Sequence, residues 1–277
     1  MHDILILGAG WTSTFLLPLL HKHSLSFAAT TRNGRKVAGF PTLQWAFDPN
    51  NTDKSHYKAL PAAKHILITF PLTGPGQSAH LIHNYQKIHG PHSHFIQLGS
   101  TGIWQISQPT CWTTRKSAYD TTNNRAIAED ELLRLGGCVL NLAGLWGGER
   151  DPRNWVGRVA KDKAGVKGKK SVHLVHGEDV ARGILAVVMH AWKGVSEGQR
   201  WMLTDGFVYD WWALFAKWAD DNQEGKQGPT EQSRWVYELM GEEGVGALPR
   251  DMQTLGRCYD SREFWATYGI SPLKAGV

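Results

Sequence analysis

Through the first 100 residues, short apolar runs alternate with longer mixed segments. The stretches "DILILG", "LSFAATTR", "LQWAFD", "HILITFP" and "HFIQLGS" are rich in Ile, Leu, Val, Phe and Thr. Each is bounded by Gly, Pro, Asn or Asp, a pattern that predicts buried strands. Helices are predicted between them over "STFLLPLLHKH", with Pro18 past the first turn and expected to bend it, and over "GQSAHLIHNYQKIHG". Such alternation predicts a doubly wound α/β fold, a parallel sheet with right-handed crossovers. Further on, "NRAIAEDELLRLGG" places Ala128, Leu132 and Leu135 on one helical face, and "CVLNLAGLWG" reads as the next strand. "HGEDVARGILAVVMHAWKG" opens with acids, closes on Lys193 and Gly194, and spaces Val180, Ile184, Val187 and Ala191 as a helix does. From about Arg200 the chain becomes tryptophan-rich, charged and glycine-broken. This change divides the expectation into a nucleotide-binding domain over 1–200 and a small, mostly helical C-terminal cap over 201–277.

Composition narrows the function classes. A chain of 277 residues with 42% hydrophobic content suffices for one large α/β domain or for a nucleotide domain with a companion. No apolar run reaches the roughly 18 to 20 residues a membrane span needs, and no basic leader precedes the first strand at Asp3. No membrane partner is therefore expected. Cys111, Cys138 and Cys258 are far apart, lack C-x-x-C spacing and are odd in number, which points away from disulfides and zinc and toward a reducing compartment, the cytoplasm. The net charge of +5 is modest, and the one dense basic run, "KDKAGVKGKK" at 161–170, is broken by glycines and lacks interleaved aromatics. It reads as a solvated loop, and no nucleic-acid partner is expected. Nothing in the pattern specifies an oligomeric state.

The candidate chemistry begins in "ILILGAGWTSTFLLPLL". A dinucleotide loop needs a strand, a tight turn at a first glycine, a second glycine that lets backbone amides approach the pyrophosphate, and a helix N-terminus facing that anion. Gly8 and Gly10 meet those demands, and Trp11 and Thr12 follow at the helix start. Ser13 holds the third position, where a small residue permits close helix-to-strand packing and is expected to be tolerated. At the end of the second strand, where an acid would hold the ribose hydroxyls of NAD, the chain reads "TTRNGRK". Arg32 would instead attract a 2′-phosphate, assisted by Arg35 and Lys36, so NADP(H) is the preferred cofactor and NAD(H) the second choice.

Taken together, these residues resemble the atypical, extended-type branch of the short-chain dehydrogenase/reductase superfamily, near its NAD-dependent epimerase/dehydratase-like proteins. The resemblance also runs through "LGSTGIW", "RAIAEDELL", "LAGLWGGERDP", "HLVHGEDVARGI" and "REFWATYGISP". It implies a Rossmann-type sheet of about seven strands with the smaller C-terminal part over the nicotinamide end. Members use a Ser or Thr after the fifth strand, then a Tyr-x-x-x-Lys pair. Thr101, beside Ser100, fits the first role, but the pair falls on Thr121 and Arg125. An always-ionised guanidinium holds a ribose without shuttling protons as lysine does. Tyr119, two residues before the usual position, is either a displaced general acid or a packing residue.

His176 lies where the family pattern crosses from strand to helix on the substrate side, and is read either as catalytic or as a buried, backbone-bonded histidine. Asp179 is expected to serve the first turn of its helix. Asp48 and Pro71 match positions flanking the adenosine in relatives. His89, His92 and His94 offer no third metal ligand on one face, so no metal is expected. Among 13 tryptophans, Trp104, Trp146, Trp211 and Trp212 are placed either in an aromatic substrate wall or in ordinary packing. Two functions remain: an NADP(H)-binding oxidoreductase or epimerase-like enzyme acting on a small carbonyl, alcohol or sugar-like substrate, and an inactive NAD(P)-binding sensor.

Overall fold

The first apolar run fixes the centre of the molecule. In the computed structural model, which describes residues 1–51, 53, 55–220 and 228–277, Ile4, Leu5, Ile6 and Leu7 are all fully buried. A strand buried on both faces belongs inside a parallel sheet covered by helices. That strand, β1 (His2–Leu7), lies between β2 (Phe27–Thr31) and β4 (Ala63–Ile68), with β3 (Leu43–Gln44) outside β2. Beyond β4 come β5 (His94–Ser100), β6 (Cys138–Leu142) and β7 (Arg200–Leu203). The seven strands run in the order β3-β2-β1-β4-β5-β6-β7, and every pair is parallel. This is the parallel sheet that the alternation predicts, with the seven strands of the Rossmann type that the resemblance implies.

Helices cover both faces. On one face, α1 (Trp11–Lys22) and α4 (Gly177–Met189) pack Leu16, Leu20, Val180 and Ile184 over Ile4, Ile6 and Leu140. On the other, α2 (Gln77–His89) and α3 (Asn124–Arg134) pack Leu81, Tyr85 and Leu132 over Leu5, Ile66 and Val139. The order of strands reverses at β1, so the chain leaves β1 and β4 toward opposite sides and a crevice opens at their carboxyl ends.

The local deviations have identifiable causes. Helix α1 begins at Trp11, two residues before the expected start, and runs through Pro18, whose ring takes the exposed face. The run "LQWAFD" yields only a two-residue strand, because it lies at the sheet edge. "CVLNLAGLWG" breaks in two: after Leu142 the chain leaves the sheet, and Gly144–Trp146 pairs with Leu174–His176 instead. Arg200, where the composition changes, begins β7 and pairs with Val139, inside the sheet. The basic run is not a plain loop. Its Lys163–Lys167 segment is a short helix whose Lys163 meets Glu238 and Glu242 and whose Lys167 meets Glu243, exposed pairs that each contribute little to stability.

Beyond β7, Trp211, Trp212, Phe215 and Trp218 form a separate core with Val236 and Leu239. The closing residues are tied back to α4. Asp179, expected to serve its own helix turn, is fully buried and accepts the amides of Leu273 and Lys274 at 2.8 and 2.9 Å. Helix α4 is capped instead by His176, whose ring accepts the Glu178 amide. Among the described residues no helix is long and apolar enough to cross a membrane.

Asp205, beside this tether, accepts the Tyr209 hydroxyl, and burial pushes its pKa up from 3.8 to about 6. A carboxyl whose pKa is raised on folding favours the folded state while protonated, so its contribution falls as pH rises from about 4 to 6. Urea midpoints of Asp205→Asn and of the parent, followed across that window, are expected to show a shallower loss of stability with rising pH in the variant.

Candidate functional site

The glycine loop is pinned by threonines on the neighbouring strands. Thr30 accepts the Gly8 amide through its hydroxyl at 3.0 Å and the Ala9 amide through its carbonyl at 2.6 Å, while the Thr69 hydroxyl donates to the Gly8 carbonyl. Gly8 has φ +86°, and a Cβ there would lie 2.8 Å from the Phe70 ring, so both backbone and space require glycine. A Cβ on Gly10 would meet only the Gly8 carbonyl, at 3.8 Å, so nothing within the chain itself requires glycine there. Gly10 caps α1 without a side-chain acceptor, and the amides of Gly10, Trp11 and Thr12 have no acceptor among the described residues. Free amides at a helix start favour an anion.

Gly8, Ala9 and Gly10 of the loop line a cleft of 820 Å³ together with Arg32, Asn33, Arg35, Phe47, Phe70 and Pro71. Phe47 and Phe70 stack at 5.6 Å, 18° from parallel. Gly8, Gly10, Arg32 and Pro71 are thus brought together. Asp48 is set apart: it is exposed, absent from the lining, and accepts the Asn50 amide at 2.9 Å in a local turn. Thr12 and Ser13 are buried, and Ser13 Oγ has no hydrogen-bond partner among the described residues. Ser13 therefore packs rather than lines the cleft. Ser13→Ala, which removes an unsatisfied hydroxyl, is expected to raise unfolding stability by about 1 kcal/mol and to leave nucleotide affinity within about tenfold, read by urea denaturation and calorimetry.

The residues expected to carry chemistry are dispersed. Thr101 is buried at the end of β5, its hydroxyl donating to the Leu142 carbonyl, and Ser100 Oγ accepts the Gly102 amide. Tyr119 does not swing free: its hydroxyl donates to Asp130 at 2.8 Å, and the Arg200 guanidinium lies 4.4 Å from its ring centre. Thr121 is exposed, and Arg125, half-buried near the start of α3, has no side-chain hydrogen bond or ion pair among the described residues. Beneath them is a buried network that sequence reading missed. Glu129 accepts Asn141 Nδ2 at 2.9 Å and Arg200 at 3.2 Å, and its carboxylate leaves no room for a Cβ on Gly99. Burial pushes the Glu129 carboxyl up. Its only legible signal is an acid at a buried face of α3, with no hint of its partners.

His176 lines a second cleft, of 540 Å³, with Trp146, Gly147, Arg150 and Trp218. Its Nδ1 accepts the Glu178 amide at 3.2 Å, so the neutral ring carries its proton on Nε2, and burial lowers its pKa. Trp11 connects the glycine loop to this second cleft: its indole N–H donates to the Gly147 carbonyl, and Arg150 lies 4.4 Å from its ring centre. Of the four tryptophans considered for a substrate wall, Trp104, Trp211 and Trp212 are buried in cores and Trp146 reaches this lining, where Trp218 joins it. His89 binds the Tyr57 carbonyl and His94 stacks on Trp192. No group of three His, Cys, Asp or Glu able to hold a metal occurs among the described residues.

No protein-family model matches the chain, and the comparison with curated proteins finds no match. Solved structures match along nearly its whole length. A Methylobacillus flagellatus protein assigned to the NAD-dependent epimerase/dehydratases covers 98% of this chain and 93% of its own at 16% identity, TM-score 0.61. A short-chain dehydrogenase/reductase superfamily protein from Agrobacterium tumefaciens with bound NAD covers 91% and 94% at 13% identity, TM-score 0.58. A dTDP-glucose 4,6-dehydratase from Bacillus anthracis in complex with NAD covers 98% and 91% at 10% identity, TM-score 0.61. At these identities the likeness is one of fold, the parallel Rossmann-type sheet described above.

Proposed function

We propose that this chain binds NADP(H) in the 820 Å³ cleft and is an oxidoreductase or epimerase-like enzyme for a small carbonyl, alcohol or sugar-like substrate. The observation that carries the reading is one cleft whose lining joins Gly10, with its unpartnered amide at the start of α1, to Arg32, Asn33 and Arg35 and includes no acid. In this reading the amides of Gly10, Trp11 and Thr12 hold the pyrophosphate, Arg32 holds the 2′-phosphate, and Phe47 and Pro71 flank the adenine. A bound nicotinamide would supply or accept hydride. In this reading the described residues beyond β7 form the substrate-side cap.

Proton handling falls to His176 rather than Tyr119, whose hydroxyl Asp130 already occupies. With its pKa lowered, His176 acts as a neutral hydrogen-bond donor through Nε2 and not as an imidazolium acid. The same engagement of Tyr119, with Thr121 and Arg125 in place of Tyr and Lys, favours the second reading, a nucleotide-occupied sensor without turnover. Titration calorimetry tests the shared core of both: NADPH is expected to bind more tightly than NADH, and equal affinities would overturn the 2′-phosphate assignment. Oxidation of NADPH by an aldehyde, ketone or nucleotide sugar decides for the enzyme, and a partner that binds only the NADPH-loaded protein decides for the sensor.

A further inference from the structure

The second cleft shows a one-sided chemistry. Its Arg153 is taken up by Asp151, which accepts both the Arg153 amide and its Nε, and its Lys217 donates to the Val277 carbonyl at 2.5 Å. Asp151 and the Val277 carbonyl, both in the lining, are thus matched by Arg153 and Lys217, and the charge left without a partner is Arg150. Arg150 has no ion pair and no guanidinium hydrogen bond among the described residues, yet it is held in place over the Trp11 ring. His176 presents Nε2–H directly above Gly147, where a Cβ would lie 2.1 Å from that nitrogen. Donors without a protein acceptor are ones an acceptor-rich ligand can satisfy. The walls are indole rings, Trp146 and Trp218, and 540 Å³ is the size of a small-molecule pocket.

We propose that this cleft docks a small planar ligand bearing a carboxylate, with Arg150 as the anion anchor and the His176 Nε2–H as a flanking donor. Guanidinium pairs with carboxylate through parallel hydrogen bonds, and the indoles pack against a flat ring. The inference rests on the reading above only in calling the ligand a substrate; docking itself needs no cofactor. Trp11 makes the two clefts neighbours, since the residue after the second glycine supplies both a bond to the Gly147 carbonyl and the ring on which Arg150 rests.

Benzoate is the probe, benzamide its uncharged counterpart and inorganic phosphate the anion without a ring, with binding followed through the indole N–H resonances of Trp146 and Trp218. Benzoate is expected to saturate and shift both signals, benzamide and phosphate to bind more weakly, and Arg150→Met to weaken benzoate about tenfold or more while Arg150→Lys retains part of the affinity. Equal binding of benzoate and benzamide, phosphate binding as tightly as benzoate, no benzoate binding, or an unchanged Arg150→Met variant would each overturn the proposal. NADPH titrated into the same proteins keeps the two readings separate: benzoate saturating without NADPH binding sinks the cofactor assignment alone, and the reverse sinks this one alone.

Discussion

Arg32→Ala is expected to narrow the difference between NADPH and NADH affinity by about 1–3 kcal/mol, the range for losing a charged hydrogen bond. The selectivity of the change is what gives it meaning. Arg32 is exposed at the end of β2, in the lining of the same cleft as Gly8 and Gly10, and it has no ion-pair partner among the described residues. Its removal therefore disturbs no internal contact, and a loss confined to NADPH reports the 2′-phosphate. Calorimetry with both nucleotides reads this directly. If both affinities fall together, Arg32 acts on the pyrophosphate or on the fold of the loop. If neither falls, the phosphate lies with Arg35.

Asp210→Ala is expected to lower unfolding stability by about 3–5 kcal/mol, the cost of leaving a buried charge without its partner. Asp210 and Arg250 are both buried. The carboxylate accepts Arg250 Nε at 3.1 Å, a terminal nitrogen at 2.6 Å and the Arg250 amide at 2.9 Å, and it also caps the helix Trp211–Lys217 through the Trp212 amide. Arg250 in turn lies 4.0 Å from the Trp212 ring centre and donates to the Lys169 carbonyl. One carboxylate thus joins three segments around the tryptophan-rich core. In urea, the midpoint of Asp210→Ala should fall with little change in slope, and Asp210→Ala with Arg250→Met should recover part of the loss, because no bare charge then stays buried. An unfolding free energy within about 0.5 kcal/mol of the parent would show that the pair contributes no net stability.

The strands and the main helices were legible because their signals are local. An unbroken apolar run bounded by turn residues, or apolar positions three and four apart, is set by the geometry of a few consecutive residues; β1 and α2 follow it almost to the residue, and α4 starts as expected but ends at Met189, before Ala191 and the expected close at Lys193 and Gly194. The glycine loop was legible for the same reason, since strand, turn and helix start fall within "ILILGAGWTS". Where partners lie far apart in the chain, the sequence named residues without their roles. Tyr119 could be read as a proton donor until Asp130 and Arg200 were seen around it, and Asp179 as a helix-turn residue until it proved to hold the amides of Leu273 and Lys274. The donor set of the second cleft depends on Trp11 meeting Gly147 across 136 residues. Periodicity fixes which face of an element is buried; only the packing of elements decides which polar groups on distant segments meet there, and desolvation then decides whether each is engaged or left facing a ligand.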